Sequence, residues 1–136
     1  MPQDQYPSDP TRRQAGLAKM TEVYGWEMGD GLGDFFGMTV EHLFGTVWER
    51  ESTLTQRERR LLLIGLMVGD NLPDVLGIQL EATLSLDEID ADELREIALF
   101  LSHYAGWPRG ARMNSQVEEI VARVEKARAK AEAAEG

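Results

Sequence analysis

The stretch that decides the fold is Thr55-Gln-Arg-Glu-Arg-Arg-Leu-Leu-Leu-Ile-Gly-Leu-Met-Val68. It opens with the Thr-x-x-Glu spacing of a capping box, in which the Thr hydroxyl and the Glu carboxylate accept free backbone N–H groups at a helix start. The run Leu61 to Val68 that follows contains no polar side chain. A helix that is apolar on all sides is buried on all sides. We therefore expect this helix to be central in the subunit or covered by another subunit.

Helical spacing of apolar residues continues on both sides of this stretch, and no segment alternates with the period of a β-strand. Thr11 is a plausible cap for the first helix. Asp90-Ala-Asp-Glu93 repeats the capping-box spacing, and Gly106-Trp-Pro108 ends one helix and begins the next. The sequence predicts an all-α fold with six helices. Besides the helix that starts at Thr55, these cover approximately residues 11–24, 34–48, 74–85, 91–105 and 108–126.

The length of 136 residues is typical of one domain. Residues 1–10 contain three of the five prolines among mostly polar neighbours, so we expect a flexible N-terminal arm. The single all-α domain then spans 11–126, and the Lys/Ala/Glu-rich tail 127–136 should fray.

The composition excludes several classes of function. The net charge of −10 repels phosphate backbones, so no nucleic-acid partner is expected. No run is long enough for a membrane span and no signal peptide is visible, which predicts a soluble, cytoplasmic protein without membrane contact. No His, Asp or Glu residues show metal-ligand spacing, so neither a metal nor another cofactor is expected. The chain has no cysteine, which rules out a thiolate nucleophile.

Three segments, in this order, carry a resemblance to a known family: Phe44-Gly-Thr-Val-Trp-Glu-Arg50, Leu54-Thr-Gln-Arg-Glu-Arg-Arg-Leu61, and Leu94-Arg-Glu-Ile97 followed by Tyr104-Ala-Gly-Trp-Pro108. Together they resemble the carboxymuconolactone decarboxylase-like family, which includes the alkylhydroperoxidase D type of peroxidase. The resemblance implies a six-helix alkylhydroperoxidase D-like subunit that assembles as a homo-trimer or homo-hexamer. It also implies a cofactor-free lyase or isomerase that acts on a small organic acid or lactone.

The chain departs from the family at the positions that carry chemistry. Peroxidase members use a Cys-x-x-Cys pair, but the matching region here, 71–79, has no sulfur, so the protein is not a thiol peroxidase. Decarboxylase members have a histidine where this chain has Gln79, and a glutamate where it has Thr46. Neither Gln nor Thr exchanges protons near neutral pH. A second interpretation therefore stays open, namely a non-catalytic oligomeric member that binds a ligand or partner and has lost its active site.

The remaining candidates for proton transfer are Glu58, His103 and His42. Each also has a structural interpretation, since Glu58 completes the capping box, His42 could be a partly buried structural histidine, and His103 could line a pocket without taking part in catalysis. A cluster of arginines at the start of the third helix could attract an anionic substrate despite the overall charge. The resemblance and the residue types together suggest a substrate-binding set, although Trp48 and Trp107 could equally be core residues. This set is Arg50, Thr46, Trp48, Gln79, Tyr104, Trp107 and Arg59.

Overall fold

The computed structural model describes residues 4–136, and these residues form helices and connecting loops without a β-strand. The predicted all-α fold with six helices is confirmed. The helices are α1 (Pro10–Tyr24), α2 (Asp34–Met38, continued by a π-helix at Thr39–Val47), α3 (Gln56–Gly69), α4 (Pro73–Ser85), α5 (Ala91–Ala105) and α6 (Trp107–Glu135).

Both predicted capping boxes are present. The Thr55 backbone N–H donates to Oε1 of Glu58 at 3.0 Å, and the Glu58 N–H donates to Oγ1 of Thr55 at 3.1 Å. Asp90 and Glu93 make the same reciprocal pair at the start of α5, at 3.2 and 2.8 Å. These local signals fix where α3 and α5 begin, because they satisfy backbone donors that have no partner inside the helix.

The cap predicted for α1 is wrong by two residues. Asp9 caps this helix, because its carboxylate accepts from the backbone N–H groups of Thr11 and Arg12 at 2.9 and 3.3 Å. Pro10 occupies the first turn, where the missing N–H costs no helical hydrogen bond.

The predicted helix over 34–48 is also not a regular α-helix. After Met38 the backbone widens into a π-helix, which closes where the N–H of Trp48 donates to the carbonyl of Leu43 at 2.9 Å. Here the backbone of Val40 lies against Gly16 of α1, so closely that a Cβ on Gly16 would be 2.0 Å from the Val40 oxygen. π-turns are uncommon and often occur at functional sites.

Contacts divide the chain into two compact units, one ending at Glu58 and the other beginning at Arg59. In the first unit, Val23, Val40, Phe44 and Trp48 form the buried apolar centre. The prediction of a single domain over 11–126 stays a prediction.

Part of the predicted N-terminal arm is hydrogen-bonded within the first unit. The backbone N–H groups of Gln5 and Tyr6 both donate to Oδ1 of Asp34, at 2.7 and 2.8 Å. Residues 1–3 of this arm lie outside the described residues. At the other end of the chain, α6 continues to Glu135, and residues 127–136 are exposed.

The second unit has its own core, to which α3, α4, α5 and α6 contribute and which includes Ile64, Leu80, Leu94 and Val117. Only one side of α3 joins this core, because Leu62 and Leu66 are 63% and 57% exposed. The expectation that α3 is central in the subunit is therefore wrong. Cover by another subunit stays a prediction.

Candidate functional site

The residues predicted to act in the site are divided between the two units. His42, Thr46, Trp48, Arg50 and Glu58 lie in the first unit, and Arg59, Gln79, His103, Tyr104 and Trp107 lie in the second.

In the first unit, the predicted residues have contrasting surroundings. Trp48 is buried and stacks on Phe44, with the rings nearly parallel and their centroids 5.8 Å apart. His42, Thr46 and Arg50 are exposed, and the Thr46 hydroxyl donates to the Glu41 carbonyl at 3.1 Å. Within the described residues Trp48 thus packs as a core residue, whereas His42 and Arg50 lie at the surface.

Glu41, at the inner side of the π-helix, is a fully buried carboxylate with several donors around it. It accepts from the Ser8 hydroxyl and the Asp9 backbone N–H, both at 2.7 Å, and Nε of Arg13 lies 3.2 Å away. A buried carboxylate needs such donors to replace its water shell. Glu41 therefore joins the segment before α1 to the π-helix.

Glu58 is exposed, and its carboxylate takes part in the capping box of α3. This contact accounts for the residue without any catalytic role.

Gln79 lies in the interior of the second unit and does not face solvent. Its Oε1 accepts from Nη1 of Arg60 at 2.6 Å, and Nε of Arg60 donates to Oε1 of Glu88 at 2.9 Å. Arg60 is completely buried and Gln79 is 5% exposed. Gln79, at the position where decarboxylase members of the family that this chain resembles have histidine, therefore belongs to a buried hydrogen-bond network centred on Arg60. Arg59, one residue earlier, is only partly buried.

His103, Tyr104 and Trp107 lie close together where α5 ends and α6 begins. The ring of His103 meets Trp107 edge-on at 5.6 Å, and Tyr104 packs against Phe100 at 5.3 Å. Tyr104 is 80% exposed and Trp107 is 60% exposed. Large apolar surfaces in solvent often mark a binding surface.

The contact of His103 with the backbone assigns its tautomer. Nδ1 lies 2.9 Å from the carbonyl oxygen of Leu99. Because a carbonyl only accepts hydrogen bonds, the neutral ring carries its N–H on Nδ1 and its lone pair on Nε2. Nε2 is thus the nitrogen with which His103 can take up a proton.

Trp107 also lines a pocket of about 290 Å³ between α5 and α6, together with Ser102, Asn114 and Arg95. Ser102, Asn114 and Arg95 are not among the predicted site residues. Arg95 lies in a charged segment that resembles an ordinary solvated helix face. The available signal was the spacing of small side chains, with Ala98 and Ser102 four residues apart on α5.

Among residues 4–136, no group of three or more His, Cys, Asp or Glu side chains is arranged to hold a metal ion. In the same range no helix has both the length and the apolar composition needed to cross a membrane.

Fold and candidate residues together define a class, namely an all-helical, cysteine-free subunit that resembles the carboxymuconolactone decarboxylase-like family. Comparison with known proteins confirms this resemblance. The chain is 29% identical, over 121 residues, to a protein of Acinetobacter baylyi named 4-carboxymuconolactone decarboxylase, and the match covers 83% of this chain and 89% of that protein. No family model matches the chain. No solved structure gives a significant match.

Proposed function

We propose that this protein is a carboxymuconolactone decarboxylase-like lyase or isomerase that acts without a cofactor on a small organic acid or lactone. The observation that carries the proposal is the similarity to the Acinetobacter baylyi protein, which extends over most of both chains. The three segments that carry the resemblance lie on α2–α3 and α5–α6, in both compact units.

Decarboxylation of a carboxylactone makes specific demands on the protein. The bond between the carboxylate carbon and the ring breaks, carbon dioxide leaves, and the electron pair moves onto the conjugated lactone as an enolate. A proton is then delivered to carbon. The protein must bind the anion, stabilise the enolate oxygen and supply that proton.

His103 is the best-placed proton donor in the second unit. Protonated at Nε2, it presents an acidic N–H while Nδ1 stays bonded to Leu99. The neighbouring Trp107 and Tyr104 supply apolar surface beside it. Glu58 and His42 are the corresponding candidates in the first unit, and Arg50, Arg59, Thr46 and Trp48 remain proposed substrate contacts.

The buried network around Gln79 favours the second candidate function, a non-catalytic member that binds a ligand or partner. A glutamine that accepts from a buried arginine at 2.6 Å cannot exchange protons, and it is withdrawn from solvent. If Gln79 occupies the position of the histidine of decarboxylase members, a structural role in this hydrogen-bond network has replaced a role in proton transfer.

The experiment that separates the two functions is a turnover assay on purified protein. We expect the wild type to consume 4-carboxymuconolactone, followed by its ultraviolet absorbance and by released carbon dioxide. The turnover rate of His103→Ala should be about a hundredfold or more below that of the wild type if His103 is the general acid. Arg123→Gln, which removes an exposed side chain on α6, serves as the control.

Glu58→Gln distinguishes the cap from a proton-transfer role. The amide retains an oxygen for the Thr55 N–H, so we expect melting temperature and helicity to stay close to those of the wild type. Loss of turnover in this folded variant would assign Glu58 a chemical role. If the folded wild type binds the lactone in a calorimeter without releasing carbon dioxide, the lyase proposal fails and the binding function replaces it.

A further inference from the structure

The turn between α3 and α4 and the first turns of α6 enclose a small pocket in the second unit, with a volume of about 10 Å³. Its lining includes the buried apolar side chains Val68, Leu76 and Met113, none of which is more than 3% exposed. A space of this size takes one water-sized group, such as a hydroxyl. A larger ligand must therefore lie at the mouth of the pocket and extend a single group into it.

The charged side chains that line this pocket are two arginines, Arg109 and Arg112. They lie three positions apart on α6, so they are neighbours on one side of the helix and their like charges repel each other. Among residues 4–136 neither arginine forms an ion pair, and Nη1 of Arg109 donates to the carbonyl of Gly69. Asp70 and Asp74, the acidic residues next to this pocket in sequence, are exposed and lie outside its lining. Two neighbouring cations without a carboxylate attract a small anion, even in a chain with a net charge of −10.

Gln116, one turn beyond Arg112 on α6, adds a hydrogen-bond acceptor to the same pocket. Its Nε2 donates to the carbonyl of Pro73 at 2.8 Å, and this contact fixes the orientation of the amide because a carbonyl only accepts. Its Oε1 is buried and accepts no hydrogen bond from the described residues. A buried acceptor without a donor is unfavourable, so the pocket favours a group with an O–H or N–H.

We propose that this pocket binds a small 2-hydroxycarboxylate. The guanidinium groups of Arg109 and Arg112 bind the carboxylate at the mouth, and the hydroxyl enters the pocket and donates to Oε1 of Gln116. An ammonium group could also donate to Gln116, but the two arginines repel its charge. The hydroxyl must be close to the carboxylate, because Arg112 and Gln116 are neighbours on the surface of the helix. The inference goes beyond the proposed function, and its test does not depend on turnover of a lactone.

The test is an NMR titration of the whole chain, at low salt, with L-lactate and with propionate, which differ only in the hydroxyl group. We expect lactate to bind with a millimolar Kd and propionate to bind about fivefold more weakly, because it lacks the donor for Gln116. Arg112→Gln should weaken the binding of both acids about tenfold or more, because it removes a charged donor to the carboxylate. Arg123→Gln removes an exposed arginine elsewhere on α6 and should leave both titrations unchanged.

A second variant tests the hydroxyl contact independently of charge. Gln116→Leu removes the acceptor and keeps both arginines, so we expect lactate to bind this variant no more tightly than propionate does. Because Gln116 also donates to Pro73, the melting temperature of this variant is measured as well. Arg112→Gln changes an exposed side chain, and its result does not depend on the stability of Gln116→Leu.

Four results would overturn the proposal. Lactate and propionate could bind the wild type equally, lactate could bind Arg112→Gln as tightly as the wild type, or the preference for lactate could persist in a folded Gln116→Leu. If neither acid shifts the amide signals of the α3–α4 turn and the start of α6 at about 50 mM, a water molecule is sufficient to satisfy Gln116 and the pocket is not a ligand site.

Discussion

At the scale of single residues, the buried Arg60 has the greatest consequence for the fold. Its side chain is inaccessible to solvent, and its hydrogen bonds connect α3 to Gln79 on α4 and to Glu88 in the turn before α5. Removing one partner of a buried ion pair leaves the other charge without compensation, at a cost of about 3–5 kcal/mol. The three residues therefore behave as one structural group.

We expect Arg60→Met to lower the free energy of unfolding by about 3 kcal/mol, because Glu88 and Gln79 then lose their buried donor. Urea denaturation at fixed protein concentration measures this change. Arg123→Met, at an exposed ion pair with Glu81, should change it by less than about 1 kcal/mol. The double variant Arg60→Met/Glu88→Met should be more stable than Arg60→Met alone. A double variant that is less stable would contradict the account of an uncompensated charge.

At the scale of helices, two glycines that both lie in the interior of a helix have different surroundings. Gly16 lies where α1 meets the π-helix, and a Cβ there would overlap the backbone of Val40. Gly65 lies in the middle of α3, and no described atom is within 4 Å of a Cβ built there. Within the described residues no neighbouring helix approaches Gly65 closely.

We therefore expect Gly16→Ala to destabilise the fold by about 2–3 kcal/mol, because a backbone atom cannot move aside easily. Gly65→Ala should stabilise it by up to about 1 kcal/mol, which is the difference in helix propensity between Gly and Ala. Thermal and urea unfolding of both variants check the prediction. Destabilisation by Gly65→Ala would contradict it and would indicate a neighbour supplied by another copy of the chain.

The ion pair between Arg95 of α5 and Glu118 of α6 predicts that the stability of the fold depends on pH. Hydrogen bonds from Arg95, reinforced by its charge, hold the pKa of Glu118 below its ordinary value of 4.5. A carboxylate with a lowered pKa in the folded state adds stability above the pKa of the unfolded state, and this stability is lost as the pH falls through the folded pKa. The pH range in which this stability is lost therefore lies below about pH 4.5.

We expect Arg95→Gln to raise the pKa of Glu118 towards the ordinary value, because the donors and the positive charge are removed. An NMR titration of the Glu118 carboxyl carbon measures the change directly. Arg123→Gln removes an exposed arginine that pairs with Glu81, so this control should leave the Glu118 titration unchanged. An unchanged Glu118 pKa in Arg95→Gln would show that the pair does not persist in solution.

At the scale of the whole molecule, the exposed apolar side of α3 indicates a protein–protein interface. Leu62 and Leu66 are one helical turn apart and more than half exposed, although they belong to the most apolar stretch of the chain. Exposed apolar side chains in such an arrangement are typical of an interface. We propose that this side of α3 is covered by another copy in a homo-trimer or homo-hexamer.

The double variant Leu62→Lys/Leu66→Lys should therefore dissociate the assembly, because two charges cannot be buried at the interface without compensation. Light scattering after size-exclusion chromatography should give three or six times the mass of the chain for the wild type and a smaller mass for the variant. Ala122→Lys/Ala129→Lys, which adds the same charge to exposed positions of α6, is the control. A wild type that is monomeric at micromolar concentration would contradict the proposal.

The sequence by itself determined the helical class, the order of the six helices, the start of α3 and α5, and the exclusion of thiol chemistry. The first three properties are local, because helical periodicity and capping depend on residues only three or four positions apart. The absence of cysteine can be seen in the sequence without any structure. The resemblance to decarboxylases could be recognised for the same reason, since its segments are short and continuous.

Only the tertiary structure decided that Asp9 caps α1, that residues 39–47 form a π-helix, and that Gln79 is bonded to Arg60. The same holds for the pocket that Arg95 and Trp107 line. Gln79 and Arg60 are 19 residues apart, and Arg60 and Glu88 are 28 apart. Whether such side chains meet depends on how helices pack and turn relative to one another, and small side chains such as Gly16 and Gly110 set that distance of approach.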